Sequence, residues 1–111
     1  MKIVRFEASR AITHFDSHGM TIGGIARCSG ETRLSLVELD PGGVVGLHQA
    51  VSPQLFLVVE GEGYVRGADG NQVAIARGQG AFWDDGELHE TVTETGLVAI
   101  VIEAEALELL S

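Results

Sequence analysis

Two histidines, His48 and His89, and one glutamine, Gln54, are the residues of this chain best suited to chemistry. A neutral imidazole nitrogen can hold a transition metal, move a proton near neutral pH or take a hydrogen bond. The Gln54 amide adds a carbonyl oxygen, a poorer partner for a transition metal than a carboxylate. Without a metal, the same three side chains would be pocket polar groups bonded to backbone or water. The remaining candidates read more plainly. His14 and His18 flank Phe15, Asp16 and Ser17 ahead of Gly19, a composition that suggests a loop. Cys28 is the single cysteine, so no intrachain disulfide forms, and it reads as a small packing residue. Asp84-Asp85-Gly86-Glu87 reads as an exposed turn that lacks the ligand spacing of a calcium loop.

The elements that must position these groups follow from the turn residues. Glycines with Asp, Asn or Glu close by fall at Gly61, Gly70, Gly78, Gly86 and Gly96, at gaps of nine, eight, eight and ten residues. That spacing marks a sandwich or barrel of short strands. Between the turns lie β-rich runs at residues 3–6, 20–26, 34–39, 55–60, 64–67, 72–76, 81–83, 88–93 and 97–103. None has helical periodicity over a useful length. A tight hairpin is expected at 68–71, where Gly70 and Asn71 tolerate positive φ. Residues 103–110 mix helix formers with strand-like alternation, and both states stay open.

The run from Gln54 to Glu60 shows how a strand would aim its side chains. Gln54, Phe56 and Val58 share one face, and Leu55, Leu57 and Val59 share the other. The first face can line a barrel interior. The second needs cover from another sheet, a terminal segment or a second subunit, so a homodimer is expected. Phe82 and Trp83 are neighbours, so one faces inward. Trp83 is placed in the pocket wall, with a subunit interface as the alternative.

At 111 residues the chain has the size of one domain, and with 45% hydrophobic residues it can bury one core. Its net charge of −9 and its seven scattered Lys and Arg residues disfavour nucleic acid and anionic membrane as partners. No signal peptide or membrane span is read from the sequence, and a cytoplasmic location is expected.

Two stretches then fall into a pattern. In the first, Asp40-Pro41-Gly42-Gly43 opens a turn, His48 follows Gly42 after five residues, Gln54 comes next, and Gly61 follows it after six. In the second, Gly78, Gly86 and His89 stand in sequence, ending near Thr93. Together they resemble the two motifs of the cupin superfamily, at about 42–61 and 78–93 within a single domain spanning 1–111. The resemblance implies an all-β double-stranded β-helix, or jelly-roll barrel. It also implies a site where three imidazoles and one carboxylate converge on Fe, Mn, Ni, Cu or Zn. The chain departs from that pattern. Ala50 stands at the second histidine position, Gln54 at the glutamate, Asp84 at the proline and Thr93 at the asparagine. Any metal would therefore rest on His48, Gln54 and His89.

The expected function is binding of a small molecule in a pocket made by His48, Gln54, Phe56, Val58, Trp83 and His89. One alternative is a metal-dependent enzyme of the dioxygenase, isomerase or decarboxylase kind. The other is a non-catalytic dimeric scaffold. Fold alone does not choose among them.

Overall fold

Turn chemistry and period-two patterning give a chain that is almost entirely strand. A computed structural model describes residues 1–110; Ser111 lies outside the described residues. Its strands are β1 (Lys2–Arg5), β2 (Arg10–Ile12), β3 (Met20–Ile22), β4 (Ala26–Leu39), β5 (Val44–Gln49), β6 (Gln54–Arg66), β7 (Val73–Ala76), β8 (Gln79–Trp83), β9 (Leu88–Val92) and β10 (Leu97–Leu109). A short 3-10 turn at His14–Asp16 joins β2 to β3, which pair only with each other. No helix among the described residues is long and apolar enough to cross a membrane.

The strands form two facing layers that share β6. One layer runs β1-β8-β6-β10-β4, and every pair in it is antiparallel. In the other, the second half of β6 pairs with β7 and β9, and β9 pairs with β5. This is the jelly-roll barrel expected from the sequence. The expected strands at 55–60 and 64–67 are one continuous strand, and Gly61, expected in a turn between them, is a corner within it. The reason is steric. Gly61 has φ 82°, and a Cβ there would collide with the Gly96 carbonyl. A Cβ at Gly63 would collide with the Val92 carbonyl. Only glycine lets β6 turn from one layer into the other.

Other boundaries also shift. The expected strand at 20–26 breaks at Gly23, where a side chain would meet the Glu7 carbonyl. The hairpin near 68–71 is a wider loop between β6 and β7. In it Gly70 alone takes positive φ, and the Asn71 amide donates to Asp69 Oδ1 at 2.9 Å. Residues 103–109 are strand, paired with β4 across a register shift at Ala104–Ala106.

The two faces of β6 separate into two clusters, as its alternation predicts. Phe56 and Val58 pack inward with Val65, Ile75, Ala81, Trp83, Leu97, Ala99 and Val101. Leu55 and Leu57 pack outward with Val4. Cover for that outer cluster comes from Phe6, Ile25, Leu107 and Leu109. Terminal segments therefore supply the cover that the apolar outer face of β6 requires.

Candidate functional site

Position β9 first. His89 and Thr91 alternate along it, Thr93 continues the alternation just past its end, and all three are buried while the residues between them are more exposed. This strand has neighbours on both sides, β5 and β6, which fixes its inward face. Opposite it, Val45 pairs with Thr91, but His48 pairs with His89. Three steps on β5 match two on β9. The strand therefore carries a bulge over Gly46 and Leu47, and this extra residue turns His48 inward when plain alternation would send it out.

The two imidazoles meet with ring centroids 4.2 Å apart and planes tilted by 56°. Their Nδ1 atoms are both tied to backbone carbonyls, which only accept. His48 Nδ1–H donates to the Gly46 carbonyl at 2.7 Å, and His89 Nδ1–H donates to the Glu87 carbonyl at 3.1 Å. In each neutral ring Nε2 then keeps its lone pair. Their surroundings differ, for His48 is exposed while His89 is 1% exposed. Burial lowers the His89 pKa, and the nearby His48 ring adds to this. The bond to the Glu87 carbonyl and the Glu87 and Glu103 carboxylates oppose it.

Trp83 closes the other side of His89. Its ring stacks on the imidazole at 4.3 Å with a 26° interplanar angle, and Phe56 lies 6.0 Å beyond Trp83. Trp83 is thus the inward residue of its pair, while Phe82 packs against the outer cluster. Gln54 is 9% exposed and stands opposite Trp83 on β8 and Glu103 on β10, so it shares their face. Of the six expected pocket residues, His48, His89, Trp83 and Phe56 form a continuous chain of rings, and Gln54 borders Trp83. Val58 lies deeper, in the packed core.

Sequence reasoning missed three contributors. Glu87, expected in an exposed turn, anchors that turn. Its carboxylate accepts from the Met1 ammonium at 2.7 Å and from the Ala68 and Asp84 amides at 3.1 Å each. Burial alone would raise the Glu87 pKa, but these donors, the ammonium foremost, hold it below the ordinary value. The Glu87 carbonyl accepts from His89 and also from the Ala50 amide at 3.0 Å. Thr91 and Glu103 are the other two. Both follow from parity, with His89 on β9 and with Val101 on β10. Glu103 opens onto a cleft of about 240 Å³ lined also by Glu31, Arg33, Val51, Ser52 and Glu105. A separate cavity of about 160 Å³ at the β6 corner includes Glu62, Tyr64, Ile75 and Gln79 and none of the six expected residues.

Residues 35–104 match the family model of the cupin domain. The chain belongs to the cupin family. An RmlC-like cupin from Shewanella frigidimarina is similar over 84% of this chain and 91% of its own, with 27% identity and a TM-score of 0.64. A protein described as a predicted oxalate decarboxylase, from Thermotoga maritima, shares 29% identity over 69% of this chain, with a TM-score of 0.58. The match spans 65% of that protein's length, just under two thirds. A DMSP lyase from Ruegeria pomeroyi, at 18% identity and a TM-score of 0.63, shares the fold. Among curated proteins none matches this chain in sequence.

The metal that the cupin motifs imply can be tested against the donors present. Ala50 offers a buried methyl group. At the far end of β9, Thr93 Oγ1–H donates to the Glu62 carbonyl at 2.7 Å and its oxygen accepts from the Gly96 amide at 2.9 Å, so it serves a turn. Among the described residues no three His, Cys, Asp or Glu side chains are grouped to hold an ion. Two imidazole nitrogens and an amide oxygen do not make up a resident transition-metal site.

Proposed function

We propose that this cupin binds one small molecule at the mouth of the barrel through His48, Gln54, Trp83 and His89, without a resident metal. Phe56 forms the apolar floor, and Val58 supports it from the core. The observation that carries this reading is the placement of His89. A polar ring is buried at 1% exposure in a barrel whose core includes Phe56, Ala81 and Val101. Its second nitrogen has no partner among the described residues, and a buried group in that state calls for one from outside. A few polar groups over an apolar floor is the usual profile of a small-molecule site.

Native mass spectrometry combined with elemental analysis of the purified protein tests the proposal. The expected result is no stoichiometric metal, and an added small mass that His89→Ala loses. Stoichiometric Fe, Mn, Ni, Cu or Zn that disappears in His48→Ala would overturn it in favour of a metal enzyme.

A second feature favours self-association. Strand β4 is an edge of its layer, and Leu34 and Leu36 on its outer face are 66% and 65% exposed. A long apolar edge left bare is a site of strand pairing, and we propose a homodimer through it. Light scattering of Leu36→Lys is expected to show a monomer where the parent chain is a dimer.

A further inference from the structure

Which chemical group the mouth of the barrel receives is encoded in two atoms. Trp83 Nε1 and His89 Nε2 are buried and have no hydrogen-bond partner among the described residues. They differ in sense. An indole N–H only donates. The hydrogen of His89 sits on Nδ1, directed at the Glu87 carbonyl, so Nε2 of the neutral ring only accepts. The two rings are stacked with centroids 4.3 Å apart, so the two nitrogens lie near each other.

Resting on the binding role proposed above, we infer that the occupant presents an uncharged hydroxyl group, which accepts from Trp83 Nε1–H and donates to His89 Nε2. A hydroxyl carries a hydrogen and lone pairs on a single oxygen. A carboxylate has no hydrogen to give His89, and an ammonium has no lone pair for Trp83. The surroundings select against an anion as well. The adjoining cleft carries Glu31, Glu103 and Glu105 against Arg33 alone, and the whole chain has a net charge of −9. His48 is the exposed ring against His89, and among the described residues β5 pairs with β9 alone.

The only tryptophan of the chain is Trp83, so a protein with ¹⁵N-labelled indole shows one indole resonance from this site. The test titrates the intact chain at pH 7.5 with phenol, benzoate, benzylamine and toluene and follows that resonance. Phenol is expected to shift it saturably and to bind about tenfold more tightly than each of the other three, the worth of roughly one buried hydrogen bond. Trp83→Phe keeps a ring and removes the donor. Followed by calorimetry, it is expected to weaken phenol about tenfold more than it weakens toluene. If this variant does not fold, the parent titration decides alone. Tighter binding of benzoate or benzylamine, or equal binding of all four, overturns the hydroxyl assignment and leaves the binding site standing. If none of the four moves the resonance, the binding site itself fails, and the two nitrogens face nothing larger than water.

Discussion

His48 and His89 stand opposite each other across one pair of strands, yet they inhabit different media. His48 lies on β5, which among the described residues has β9 as its only neighbour, and it reaches its inward position through a bulge. His89 lies on β9, which is paired on both sides, and its ring is covered by Trp83. The same side chain at the same depth of motif is therefore solvated in one case and desolvated in the other. The number of strand neighbours decides it, because an edge strand has one flank open to water. The pairing around a motif position decides whether its ring sits in water or under cover.

That contrast can be broken at several points. Trp83→Ala is expected to have the largest effect, because it removes a fully buried ring and the stacked cover of His89. A loss of about 3–5 kcal/mol of stability is expected by urea denaturation followed by circular dichroism. A loss below about 1 kcal/mol would mean that the ring is not part of a packed core. His89→Ala comes next, at about 2–4 kcal/mol by the same measurement, from the cavity and the lost stacking.

A pH series sharpens the comparison without removing either ring. The pKa of His89 is lowered in the folded protein, chiefly by burial. Folding then favours the neutral ring, so the unfolded chain binds the proton more readily. Stability from this group is complete above the ordinary histidine value of about 6.5 and is lost as pH falls through the lower folded value. In urea midpoints measured from pH 7.5 down to pH 5, His89→Gln is expected to flatten the fall. An unchanged slope in His89→Gln would assign the fall to other groups. The smallest effect is expected from His48→Ala, at most about 0.5 kcal/mol, as for an ordinary surface substitution. If His48→Ala cost as much as His89→Ala, the contrast between edge and interior would collapse.

Much of the site is legible before folding. The spacing of Gly42, His48, Gln54 and Gly61, followed by Gly78, Gly86 and His89, places both histidines on one barrel. The alternation from Gln54 to Val59 assigns the two faces of β6 correctly. The losses at Ala50 and Gln54 point to an incomplete metal site; among the described residues no third His, Cys, Asp or Glu is grouped with the two histidines. Residues 103–109 resisted assignment because alanine, glutamate and leucine serve helix and strand alike, and pairing with β4 decides between them. The role of Glu87 was equally hidden. Its partners Met1 and Ala68 are 86 and 19 residues away in the chain, and no local pattern reports a contact of that range.

By itself the sequence determined which side chains share a face, where the chain must turn and which metal ligands it lacks. These are local properties, set by the period of a strand and the sterics of glycine. Only the tertiary structure decided that Trp83 covers His89, that a bulge brings His48 inward and that two buried nitrogens are left unpaired. Those features depend on which strands become neighbours. Burial and hydrogen-bond satisfaction arise from atoms far apart in the chain, and only closure of the barrel brings them together.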